Sequence, residues 1–195
     1  MSSPDLVEAD RAGVTKALQQ AGLPADDIRS VIHVLEGPNL SMGPQIAAFE
    51  QVFCDYTGAK HAIGVNSGTA GLHLCVRAAG VQPGDLVLTT PFSFISSTNV
   101  ILFEHAIPVF VDAEPRTGNL DLGQLAEAVS DLSAGGEKAR KWLPRTLPPL
   151  PSSPEPLHLK AILSVDVFGQ PPDMDAINQL AADYGLAVIE DSCEA

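Results

Sequence analysis

Positive charge is what this chain has least of. Its 195 residues carry 11 lysines and arginines against 24 aspartates and glutamates, a formal net charge of −13 at pH 7. So acidic a chain is repelled by phosphodiester backbones and anionic lipid, which argues against nucleic acid and membrane surfaces as partners. Cysteine is nearly as scarce. Cys54, Cys75 and Cys193 are odd in number and fit neither a metal-ligand spacing nor a disulfide framework, so no metal is expected and a reducing, cytoplasmic compartment is. No apolar run approaches the ~20 residues a bilayer requires, and the opening MSSPDLVEADRAG has no apolar stretch of the kind a secretory leader needs. A GxGxxG after the first predicted strand is also missing, which removes the dinucleotide-binding fingerprint. No internal repeat is visible.

What is present is alternation. With 45% hydrophobic residues the chain can bury a sizeable core. After an N-terminal helical segment (residues 1–36), Ile46, Phe49, Phe53 and Tyr56 fall on one face of a predicted helix from Pro44 to Thr57, with Gly58 as its stop. Then β-like and helix-like runs take turns. HAIGV (61–65) precedes a helix over Thr69–Ala79, and LVLTT (86–90) precedes one over Ser96–Glu104. IPVFVD (107–112) precedes Leu122–Val129, AILSVDVF (161–168) precedes Met174–Tyr184, and AVIED (187–191) follows. Strands separated by helices predict an α/β fold, a three-layer α/β/α arrangement with a mostly parallel sheet. The rhythm breaks over 130–159, where LPRTLPPLPSSPEPL is too proline-rich for a helix or a central strand and reads as a surface insertion.

In an open parallel sheet, ligands bind beyond the carboxyl ends of the strands. That rule selects Ser67-Gly68-Thr69, Phe92 to Ser97, Asp112, Asp166 to Gln170, and Glu190-Asp191-Ser192. Ser67-Gly68-Thr69 at a strand-to-helix junction suits a helix cap. It equally suits a phosphate held by free backbone N–H groups, with small side chains allowing the approach. Taken with an aromatic after the second strand and an acid after the last, the set describes a flat, phosphorylated cofactor with a ring nitrogen.

These segments resemble the DegT/StrS-type sugar aminotransferases, pyridoxal-phosphate enzymes of the aspartate aminotransferase fold. The likeness lies in EGPNLSMGPQIAAFE, VNSGTAGLHL, VQPGDLVLTTPFSFISSTN, IPVFVDAEPRTGNLD, AILSVDVFGQPPDMDAI and VIEDSCEA, in that order. It implies pyridoxal 5'-phosphate as cofactor, with Ser67, Gly68 and Thr69 at the phosphate, Phe94 stacked on the pyridine ring, Asp191 paired with the ring nitrogen and Glu194 near the ring hydroxyl. It implies amination of a keto-sugar, nucleotide-linked, with an amino acid, glutamate, as donor. It also implies a homodimer in which the Gly37–Gly43 loop approaches the neighbouring subunit's cofactor.

Two departures accompany the resemblance. Asp166 replaces the histidine commoner in the family's VHxxG pattern. The family's catalytic lysine follows the EDxxxA segment by several tens of residues, and none of Lys16, Lys60, Lys138, Lys141 and Lys160 occupies that place. The expectation is therefore a partial large domain over 37–195, without its Schiff-base lysine and small C-terminal domain, and inactive alone. A dehydratase of the same fold, with histidine in place of that lysine, and a non-catalytic product are the alternatives.

Overall fold

The computed structural model describes residues 4–145 and 158–195. The chain divides into two compact units, Met1–Gly64 and Val65–Ala195. The first contains α1 (Pro4–Gln20), α2 (Ala25–Glu36) and α3 (Pro44–Thr57). Ile28 and Ile32 of α2 are buried, and Arg11 of α1 pairs with Glu36 of α2 at 3.2 Å. In α3, by contrast, no residue is buried, and its predicted apolar face lies open, with Tyr56 89% exposed. Its ends follow the sequence signals: Pro44 sits in the first turn and Gly58 closes it in a left-handed conformation, φ 75°.

The second unit contains α4 (Gly68–Ala78), β1 (Leu86–Thr89), α5 (Ser96–Phe103), β2 (Ile107–Phe110), α6 (Leu122–Ala134), α7 (Gly136–Arg140), β3 (Leu159–Val165), α8 (Met174–Tyr184) and β4 (Ala187–Asp191). The four strands form one sheet in the order β2-β1-β3-β4, every pair parallel. Both faces are covered, which is why the strands read as nearly continuous apolar runs. Leu86, Leu88 and Ile162 pack against Leu125, Val129 and Leu132 of α6 and Ile177 of α8. Val87, Leu163 and Ile189 on the other face pack against Leu72 and Val76 of α4 and Val100 and Ile101 of α5. The result is the expected three-layer α/β/α fold. From β1 the chain reaches β2 on one side, and β3 lies on the other. The strand order therefore reverses at β1, and crevices open at the carboxyl ends of such reversals.

Two local expectations are corrected. HAIGV forms no strand. A strand exists only where a neighbour takes its N–H and C=O groups, and the Gly64 N–H donates instead to Glu50 Oε1 of α3 at 2.7 Å. The predicted insertion over 130–159 is also too long. Helix α6 continues to Ala134, α7 follows, and β3 starts at Leu159. Leu132, Ala139 and Leu143 carry this stretch into the core, because their apolar spacing outweighs the Gly135-Gly136 break. The proline-rich 146–157 lies outside the described residues.

Candidate active site

At the carboxyl edge of the sheet lies a cavity of about 470 Å³. Four pieces of backbone converge on it: the start of α4 (Gly68, Thr69), the turn after β1 (Phe92 to Phe94), the end of β3 (Val165 to Phe168) and the end of β4 (Asp191, Cys193, Glu194). The cavity thus brings together Gly68, Thr69, Phe94 and Asp191, which the strand-end rule selected, and Glu194, which the resemblance implied. Ser67 and Asp112 do not line it.

Ser67 caps α4, its Oγ accepting the Ala70 N–H at 3.2 Å, while its carbonyl accepts the Gly71 N–H at 3.1 Å. The first N–H groups of a helix have no partner within it, so those of Gly68 and Thr69 remain for a ligand at the positive end of the helix dipole. Glycine is required at 68 by space: a Cβ there would lie 2.6 Å from Cys193 Sγ.

Asp191 is buried at the end of β4, 6% exposed. Its Oδ2 accepts the hydroxyl of Ser97 at 2.8 Å, and Ser97 is 2.7 Å from Ser93 Oγ. Its Oδ1 accepts the Cys193 N–H at 3.3 Å. The neighbouring Cys193 thiol is pushed up to about 11 by its hydrogen bond to Asp191, by burial and by the charges of Asp191 and Glu194, so it stays protonated and unreactive at neutral pH.

Phe92, Phe94 and Phe168 line the cavity with apolar surface. Phe94 is 76% exposed and Phe168 79%. Phe168 sits in a left-handed conformation, φ 54° and ψ 30°, which costs a side chain of this size on the order of 1–2 kcal/mol. The loop is held there from both sides. Glu194 Oε2 accepts the Phe168 N–H at 2.9 Å, Asn119 Oδ1 accepts the Val167 N–H at 3.2 Å, and the ring stands edge-on to Phe92 with centroids 6.0 Å apart.

Asp166 enters the site more fully than its sequence position suggested. It is 3% exposed, accepts the Ser192 hydroxyl at 2.7 Å on Oδ2, and its Oδ1 has no hydrogen-bond partner. On the neighbouring strand, burial first, then the charge of Asp166 and a hydrogen bond to it, raise the Glu190 carboxyl above its ordinary value. Asp166, Asp191 and Glu194 therefore line one cavity in which no lysine or arginine takes part. The chain's lysines lie elsewhere; Lys141, for example, pairs with Asp131 at 2.8 Å. Sequence reasoning singled out neither Ser93 and Ser97 as partners of Asp191 nor Cys193 as the thiol against Gly68. The only signal for the two serines was a PFSFISS run, 91–97, rich in hydroxyls at the end of a buried strand.

Comparison with known proteins gives a consistent picture. The profile of the DegT/DnrJ/EryC1/StrS aminotransferase family matches residues 23–195. The spore coat polysaccharide biosynthesis protein SpsC of Bacillus subtilis is 39% identical over 170 residues, 87% of this chain and 37% of that protein. GDP-perosamine synthase of Caulobacter vibrioides is 39% identical over 155 residues, 80% of this chain and 35% of the relative. Among solved structures, DesV of S. venezuelae in complex with a ketimine intermediate superposes with a TM-score of 0.72 at 30% identity, covering 93% of this chain and 42% of DesV. The chain thus spans about two fifths of the length of the relatives it matches.

Proposed function

We infer function from one premise: the chain belongs to the DegT/DnrJ/EryC1/StrS aminotransferase family, whose cofactor is pyridoxal 5'-phosphate. We propose that the carboxyl-edge cavity holds that cofactor and that the protein aminates a nucleotide-linked keto-sugar with glutamate as donor. The residues present fit the group. Gly68 and Thr69 offer two unpaired N–H groups and the space a phosphate needs. Phe94 offers an exposed ring face, and Asp191 a buried carboxylate with one oxygen weakly engaged.

A single observation carries this reading: Asp166, Asp191 and Glu194 line an apolar-walled cavity with no basic side chain among them. Asp166 and Asp191 are buried; buried carboxylates without a cation are costly, and a ligand bearing a protonated ring nitrogen relieves that cost. When bound, pyridoxal phosphate carries the amine and supplies the electron sink. The chain's own share is electrostatic and geometric. Asp191 keeps the ring nitrogen protonated, Phe94 fixes the ring plane, and the start of α4 anchors the phosphate. Glu194, engaged with Phe168, sets the wall facing the ring's edge. Assembly as a homodimer is part of the proposal, supported by the exposed apolar side chains Leu40, Met42, Phe49 and Tyr56 of the first unit; sedimentation showing a fully active monomer would sink it.

The test of function is amine transfer from glutamate to GDP- and UDP-linked keto-sugars by the protein that carries this chain, followed as 2-oxoglutarate release. Transfer that depends on added pyridoxal phosphate supports the reading. Transfer that proceeds equally in a Gly68→Val variant contradicts it, since a side chain there meets Cys193 Sγ and crowds the cavity wall beside the free N–H groups.

A further inference from the structure

A buried carboxylate that grips a ring nitrogen must itself be held. Ser97 is the second residue of α5. Its hydroxyl reaches across 94 positions of sequence to Asp191 Oδ2 at 2.8 Å, and the residue is fully buried, 0% exposed. Ser93 stands behind it at 2.7 Å. A carboxylate only accepts hydrogen bonds, and a hydroxyl has one proton to give. The Ser97 end is thereby fixed, Ser97 donating to Asp191, while the Ser93 hydroxyl stands within hydrogen-bond reach of both Ser97 Oγ and the Phe94 carbonyl at 3.1 Å. With Oδ2 so occupied, Oδ1, which accepts the long Cys193 N–H contact of 3.3 Å, is the oxygen less firmly held by the backbone and hydroxyls, although the Cys193 thiol also bonds this carboxylate.

We propose that Ser97, backed by Ser93, is a positioning residue for Asp191: the hydroxyl relay locks the carboxylate with Oδ1 toward the cavity and so sets how tightly a protonated ring nitrogen is bound there. The inference rests on the cofactor reading above. Two features support it beyond simple satisfaction of a buried acid. The relay has two members where one would satisfy Oδ2. And the relay approaches from α5, on the opposite side of Asp191 from Cys193 in sequence, so that the carboxylate is gripped by two separate elements rather than by its own strand. A rotation of the Asp191 side chain would break the Ser97 bond, and one hydrogen bond to a charged group corresponds to about 10- to 100-fold in an equilibrium constant.

The experiment is calorimetric titration of the purified chain with pyridoxamine 5'-phosphate and with its 1-deaza analogue, in which a C–H replaces the ring nitrogen. Ser97→Ala is expected to weaken the pyridoxamine complex about 10- to 100-fold and to leave the deaza complex within about twofold, because the coupling runs through the nitrogen. Ser97→Thr, which returns the hydroxyl, is expected to restore affinity. Ser93→Ala, at a less buried position, is expected to give a smaller loss with the same dependence on the ring nitrogen, and it carries the test if Ser97→Ala does not fold. Equal losses with both ligands would make Ser97 a packing residue and overturn the proposal, as would unchanged affinity for pyridoxamine phosphate. Failure of the unaltered chain to bind pyridoxamine phosphate would instead overturn the cofactor reading, and this inference with it.

Discussion

The two edges of the sheet treat a buried acid differently. At the amino edge, Asp85 is met by His158 Nδ1 at 2.6 Å and by the Gln82 N–H at 2.8 Å, so both carboxylate oxygens are engaged within the chain. At the carboxyl edge, Asp191 and Asp166 are as deeply buried, yet their partners are hydroxyls, an amide, the Cys193 thiol and the Glu190 carboxyl, none of them a cation. An acid with all its partners inside the chain serves the fold. An acid left without a cation in an open cavity serves something that arrives. The contrast separates stability from binding, and each of the following outcomes breaks or sharpens it.

The largest effect belongs to Asp191. In the protein carrying this chain, Asp191→Asn is expected to lower single-turnover amine transfer by on the order of a thousandfold or more while leaving circular dichroism unchanged. Near-wild-type transfer would reduce Asp191 to a cap, which asparagine provides equally well. The mirror experiment is Asp85→Ala. It removes two hydrogen bonds at a buried position, so a stability loss of about 1–3 kcal/mol in urea unfolding is expected, with affinity for pyridoxamine phosphate unaltered. A loss of affinity there would erase the distinction between the edges.

A third outcome concerns the thiols. Cys75 and Cys193 are both exposed, but the Asp191 bond holds Cys193 up to about 11. At pH 8, alkylation of Cys193 should be at least about tenfold slower than that of Cys75, the thiolate fraction outweighing its higher nucleophilicity. Asp191→Asn should quicken it, as peptide mapping by mass spectrometry would record. The smallest effect is at Glu190. Its folded-state value is raised, so its contribution to stability is complete at acid pH, below the unfolded value, and is lost as pH rises through the folded value. Glu190→Gln should therefore be slightly stabilising at pH 7, by a few tenths of a kcal/mol at this exposed position, and without benefit at pH 4.

Sequence signals located elements well wherever the stop and start were local. Helix α8 spans Met174–Tyr184 as expected because Asp173 caps it through the Ala176 N–H and Gly185 ends it at φ 67°. Strand β4 spans Ala187–Asp191 as expected because its apolar run is buried on both faces. HAIGV carried the same signal and formed no strand, since strand formation depends on a distant neighbour that composition does not reveal. The site divides in the same way. Gly68, Thr69, Phe94 and Asp191 lie at strand ends and a helix start, positions that topology makes legible. The Ser97–Asp191 and Glu194–Phe168 bonds join residues far apart in sequence, and no local pattern announces them. Phe168 fell within the selected Asp166 to Gln170, but its left-handed backbone was not legible, because Asn119 and Glu194 impose it against its own preference.

The central claim is that the start of α4 and the end of β4 together hold one phosphorylated, ring-nitrogen ligand. Amide-resolved NMR of the ¹⁵N-labelled chain, titrated with pyridoxamine 5'-phosphate, tests it most directly. The account predicts that the Gly68 and Thr69 amides shift downfield together with changes at Asp191 and Cys193, all following one saturable curve. Shifts confined to other surfaces, or inorganic phosphate reproducing the Gly68 and Thr69 changes with no response at Asp191, would contradict it.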